Sequence, residues 1–134
     1  MKRGFQGKMY LDTDVILAVL KEDDWLQSKV DLDKVEDPKT SAITITEIQL
    51  VYEDWATRFD NIKQKIEDLG IEILGLNPET VQKSSKLQKT HEKLNVFDSI
   101  HLAHAEELGD TIISTDTLYP EIEKIKSEDP RNLE

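Results

Sequence analysis

The sequence contains no cysteine. That excludes a disulfide framework and a thiolate zinc site, and it fits a reducing cytoplasm. Long apolar runs are also missing. "VILAVL" at 15–20 falls far short of the roughly 20 residues a membrane-spanning helix needs. Nothing near Met1 resembles a signal peptide. Positive charge is scarce, with 17 Lys and Arg against 28 Asp and Glu and a net charge of −11. Such a deficit argues against broad electrostatic attraction to nucleic acid, where cations meet phosphates. It does not exclude an acidic site, because a bound cation reverses the local sign of a carboxylate cluster. Repeats and low-complexity linkers are lacking too. The 134 residues read as one domain, 1–134, large enough to bury a core without staples.

What is present alternates. Four runs have strand character: "KMYLD" (8–12), "TSAIT" (40–44), "IEILGL" (71–76) and "DTIIST" (110–115). Between them lie helical patterns: "DVILAVLKE", "ITEIQLVYEDWATRFDNIKQKIEDLG", "PETVQKSSKLQKTHEKL" and "FDSIHLAHAEELG". This predicts an α/β fold, a three-layer α/β/α arrangement around a central parallel sheet of about four or five strands. Gly70 and Gly109 each follow a helix, where a left-handed cap costs little. Residues 1–7 read as a flexible leader, and 128–134 as a flexible polar tail after a last short helix.

The position of the acidic residues matters more than their number. Asp12 ends the first strand and Asp116 follows the last apolar run. In a parallel sheet both then lie on one edge, where open α/β folds build their sites. Asp98 opens the helix "DSIHLAHAEEL", and Glu47 lies in the first turn of the helix after "TSAIT". Four carboxylates from four segments therefore converge on that edge. Two unit charges ~4 Å apart repel by roughly 4 kcal/mol at an effective dielectric near 20. A divalent cation removes that cost, and an all-oxygen donor set suits Mg²⁺ or Mn²⁺ better than zinc. Such an ion lowers the pKa of a bound water and polarises a phosphoryl oxygen, so the chemistry points to phosphodiester hydrolysis.

Each acid also has a structural alternative. Asp12 or Asp14 can cap the helix near Val15, and Thr44-x-x-Glu47 has capping-box spacing. Asp98 can complement a helix dipole, and Asp116 can make a turn before Leu118. His101 and His104 fall three apart from Asp98 on one helical face. Orientation of a carboxylate by His101 is the better reading than direct ligation. His91 reads as solvated surface. Lys83, Lys86, Lys89 and Lys93 form the only dense basic stretch, either a solvated face or a contact for RNA phosphates. Trp25, Tyr52, Trp55 and Phe59 read as core or interface. The last three share a helix stripe that also suits a dimer surface.

Taken in order, "MYLDTDVIL", Glu47 in "ITITEIQL", Asp98 in "FDSIHLAHAEELG" and Asp116 in "IISTD" resemble the PIN-domain nucleases. The likeness is strongest to the compact toxin ribonucleases of VapBC-type toxin–antitoxin modules, and it runs from Met9 to about Pro120. The resemblance implies a PIN-like fold in which Asp12, Glu47, Asp98 and Asp116 hold one or two Mg²⁺ or Mn²⁺ ions. A metal-activated water then attacks an RNA phosphodiester. Thr13, Ser114, Thr115 and His101 would support the site. A homodimer and a cognate antitoxin are the implied partners, with no membrane association. The chain departs from the family's pattern at two positions. Leu118 stands where many members carry a further acid, and Asp14 replaces the usual Ser or Asn, where it can act as an auxiliary ligand. The same resemblance leaves room for RNA processing or quality control, and for a silent RNA- or protein-binding scaffold. A separate rival comes from "LDTDVIL", which approaches the Asp-x-Asp motif of haloacid-dehalogenase-like phosphatases.

Overall fold

A computed structural model describes residues 8–21, 32 and 35–132. The expected leader, Trp25 and the last two residues of the expected tail lie outside the described residues. Five short strands form one parallel sheet: β1 (Met9–Leu11), β2 (Lys39–Ser41), β3 (Glu72–Leu74), β4 (Thr111–Ile113) and β5 (Ser127–Glu128). Their spatial order is β3-β2-β1-β4-β5. At the centre Tyr10 faces Ile112 and Leu11 faces Ile113. The described helices are α1 (Thr13–Leu20), α2 (Ala42–Val51), α3 (Trp55–Arg58), α4 (Ile62–Asp68), α5 (Pro78–Thr90) and α6 (Val96–Leu108).

Side chains alternate across a pleat, so β1 and β4 feed two cores. Met9, Leu11 and Ile113 pack with Val15, Ile48 and Ile66 on the side of α1, α2 and α4. Tyr10 and Ile112 pack with Leu87, Leu102 and Tyr119 on the side of α5 and α6. Both faces of the sheet are covered, and the α/β/α arrangement read from the sequence is the one observed. No described helix is long and apolar enough to cross a membrane.

Three local expectations are corrected. The run from Ile45 to Gly70 is not one helix but is divided among three, α2, α3 and α4. Asp60 breaks it with a positive φ of 23°, and Asn61 restarts it by accepting a hydrogen bond from the Gln64 N–H. Asp and Asn compete for backbone partners in this way, and the break lets Phe59 and Ile62 both enter the core. The strand expected over 40–44 stops at Ser41, whose hydroxyl accepts from Ile43 N–H and starts α2 at once. The tail is not free from residue 128. Ser127–Glu128 pair with β4 as a fifth strand, and Pro130–Asn132 make a 3-10 turn. Its polar residues hid the strand because two edge residues need little apolar content.

At the amino-terminal edge of the sheet, the buried Lys39 donates to Asp110 at 2.9 Å, reaching past β1 from β2 to the start of β4. Asp37, whose φ is 48°, accepts from the same ammonium at 3.2 Å.

Candidate active site

The carboxyl ends of β1, β2 and β4 bring the site together, and the chain leaves β1 directly into a cap. Asp12 is the N-cap of α1, with Oδ1 accepting from Thr13 N–H at 2.8 Å. Its Oδ2 accepts from the Ser114 hydroxyl at 2.7 Å, 102 residues away in sequence. The same Ser114 oxygen accepts from Asp116 N–H at 3.0 Å. One hydroxyl therefore ties the acid ending β1 to the backbone of the acid following β4.

Asp116 also performs the turn role weighed above, since its Oδ1 accepts from Leu118 N–H at 2.8 Å. That turn leads into a 3-10 helix, Tyr119–Glu121, which buries Tyr119. The Tyr119 hydroxyl donates to Asp98 Oδ1 at 3.3 Å. Burial, together with the charges of Asp12, Asp98 and Asp116, pushes the Tyr119 pKa far upward, so the hydroxyl stays a donor. Asp98 does not open α6. Asn95 is the cap, and Asp98 completes a capping box at the third helical position. Burial and then the charge of Asp116, with a further push from Asp12, raise the Asp98 carboxyl above its usual range. Carboxylates from three distant segments therefore sense one another.

Glu47 sits in the second turn of α2 rather than the first, because α2 starts at Ala42. It has no capping box with Thr44, which is buried inside the helix and bonds to Thr13 (3.2 Å) and Thr40 (2.9 Å). Glu47 Oε1 instead accepts from the Thr13 hydroxyl at 2.6 Å and from His101 Nε2 at 2.5 Å. His101 Nδ1 meets the Tyr10 hydroxyl at 2.6 Å. Burial disfavours the charged imidazole, but Asp12, Glu47 and Asp98 outweigh it and raise the His101 pKa. Both ring nitrogens are engaged, so His101 orients Glu47 from behind.

His104 does not join a triad with Asp98. It stacks on Tyr10 and bonds to the Ser41 hydroxyl at 2.9 Å. Burial and the neighbouring His101 push it down to about 4, so it is neutral at pH 7. Asp14 is not a cap. Its Oδ2 accepts from Thr115 N–H at 2.9 Å and from the Thr115 hydroxyl, while the buried Oδ1 has no hydrogen-bond partner among the described residues. Burial and the charge of Asp12 push Asp14 up to about 6.

The lysines divide. Lys83 pairs with Glu106 at 3.5 Å across α5 and α6, and Lys86 is exposed. Lys89 and Lys93 are exposed on the rim of a cavity. His91 is the C-cap of α5 and half-buried rather than solvated. Tyr10, Thr44 and Tyr119 were not anticipated as contacts of the site. Tyr10 was detectable in principle: between Met9 and Leu11 it must face the opposite side of the sheet, toward His101.

Among the described residues, no group of three or more His, Asp and Glu side chains is placed to hold a metal ion. The donors nevertheless fit a hard divalent ion. They are carboxylate oxygens, mutually repelling, with an orphaned buried oxygen on Asp14 beside them.

The model of the PIN-domain family matches residues 9–125. A comparison with curated proteins yields no match. Several solved structures share the fold. VapBC2 from Rickettsia felis, bound to a DNA fragment from its promoter, is 14% identical over 92% of this chain and 98% of that one, with a TM-score of 0.69. FitAcB from Neisseria gonorrhoeae is 24% identical over 93% and 99%, with a TM-score of 0.67. A toxin–antitoxin complex from Klebsiella pneumoniae is 18% identical over 92% and 98%, also at 0.67.

Proposed function

The chain belongs to the PIN-domain family, and on that premise we propose that it is a metal-dependent endoribonuclease, the toxin of a toxin–antitoxin pair acting in the cytoplasm. Asp12, Glu47, Asp98 and Asp116 would hold one or two Mg²⁺ or Mn²⁺ ions, with Asp14 as an auxiliary donor. When bound, the ion neutralises the carboxylates and supplies a water of lowered pKa for attack on an RNA phosphodiester. The observation that carries this reading is the hydrogen-bonded chain that draws Asp12, Asp116 and Asp98 to one edge from three segments, through Ser114, Leu118 N–H and the Tyr119 hydroxyl.

The chain's own side chains set the geometry. Ser114 holds Asp12 and Asp116 in register. Tyr10, through His101, fixes the rotamer of Glu47, and Thr13 supplies a second donor to the same oxygen. Thr115 restrains Asp14. The phosphatase alternative needs Asp14 as a general acid facing substrate. Its Oδ2 is instead engaged by Thr115, and the family match supports the nuclease.

Purified protein should cut RNA with Mg²⁺ or Mn²⁺ and stop in EDTA. An Asp98→Asn variant that folds and keeps full activity would sink the assignment. The antitoxin partner is supported by the toxin–antitoxin neighbour of the same fold. A homodimer is supported by Leu50 and Val51, 68% and 69% exposed at the end of α2.

A further inference from the structure

A cavity of about 390 Å³ lies between the end of α5 and the segment 118–122, within the range of small-ligand sites. Both walls continue directly into the acidic edge. Leu94 precedes Asn95, the cap of the helix carrying Asp98. Leu118 N–H is bonded to Asp116 at 2.8 Å, and Tyr119, between Leu118 and Glu121, is bonded to Asp98. Whatever fills the cavity therefore lies beside the reacting phosphodiester, if the nuclease reading above is right.

The lining has three kinds of chemistry. Leu94 and Ile122 are buried and Leu118 half-buried, giving an apolar floor on which a flat ring can rest. Lys89 and Lys93 stand exposed on the rim, as cations for a sugar–phosphate backbone. Glu92 and Glu121 also line the cavity. Carboxylates repel a phosphate but accept hydrogen bonds from exocyclic amino groups, as Glu and Asp do from cytosine N4. Single-stranded RNA offers unstacked bases whose edges can be read in this way.

We propose that this cavity is a specificity subsite that seats one nucleobase of the RNA next to the cut, and that it favours bases bearing an amino group over uracil. Lys89 and Lys93 hold the backbone of that nucleotide, the leucine and isoleucine side chains hold the ring, and Glu92 and Glu121 read its amino edge. The lysine pair and the continuity with Asp98 and Asp116 favour RNA over a protein segment as the occupant.

The test has two arms, so that failure of the nuclease reading and failure of this one are separable. In the first, a pool of short single-stranded RNAs is cut with Mn²⁺ and the base flanking each cut is read. Adenine, cytosine or guanine should exceed uracil at one flanking position. The paired change Glu92→Gln and Glu121→Gln should reduce that preference by about tenfold. Leu118→Trp, which fills the cavity, should raise KM. Cutting without base preference, or a preference that survives the paired change, overturns the proposal.

In the second arm, RNA carrying one 6-thioguanosine is photo-cross-linked to the full-length protein in EDTA, and the adduct is mapped. Adducts at 89–94 or 118–122 are expected. Adducts elsewhere overturn it. Cross-linking there by a protein that cuts nothing would keep the subsite and refute the nuclease.

Discussion

Asp12, Asp98 and Asp116 each serve structure and charge at once. Asp12 caps a helix, Asp98 completes a capping box and Asp116 closes a turn. The structural alternatives weighed from sequence were therefore largely correct for these three, and they do not compete with function. A cap fixes a carboxylate where a free side chain would wander. Asp116→Asn keeps the Oδ1 that Leu118 N–H uses but removes a charge from a repelling group. Its metal-free melting temperature should stay level or rise, and its stabilisation by Mn²⁺ should shrink, both read by thermal melts. Ser114→Ala loses bonds to Asp12 and Asp116 together. It should cost about 1–3 kcal/mol in denaturant melts, and slow RNA cleavage by about tenfold to a hundredfold through misplacement. The acids were legible because strand ends announce themselves in apolar runs. Their supports were not. Thr44 and Tyr10 look like ordinary strand or helix residues until β1, β2 and α6 are packed, and no spacing along the chain encodes that packing.

At the level of elements, the strands and helices of the two cores were readable from periodicity, while their ends were set by single side chains. Ser41 cuts a strand short and Asn61 restarts a helix by offering a side-chain oxygen to free N–H groups. Such caps are weak in sequence because Ser and Asn are common everywhere. Asn95→Ala should therefore cost about 1 kcal/mol by melting, and should also lower activity because the same cap positions Asp98. β5 escaped notice since its two residues owe their pairing to β4 rather than to their own propensity. The pair between Lys39 and Asp110 belongs at this scale too. Burial lowers the Lys39 pKa, yet Asp110 and Asp37 outweigh it and raise it on balance. Its contribution is thus complete below the ordinary lysine pKa and fades only as strongly alkaline pH passes the raised value. Lys39→Met leaves Asp110 buried and unpaired, at a cost of about 3–5 kcal/mol. Adding Asp110→Leu should recover much of that loss, which a double-mutant cycle would read.

For the whole molecule, two histidines give stability opposite slopes with pH. His104 is neutral when folded and pushed down to about 4, so the unfolded chain binds a proton that the folded one refuses. Its contribution is present above about 6.5, declines as pH falls and is exhausted below about 4. His101, raised by the acids around it, contributes in the other direction: fully below its unfolded pKa, and less as pH rises through the folded one. Subtracting His104→Gln from the wild type isolates the first slope, and a difference that does not shrink from pH 7 to pH 4 would refute the assignment. The topology carries a last consequence. β1, made early, lies between β2 and β4, and Asp12 is completed by Ser114, 102 residues later. A chain still being made therefore has no complete acidic site until β4 has been added, and synthesis itself sets the moment at which the site assembles.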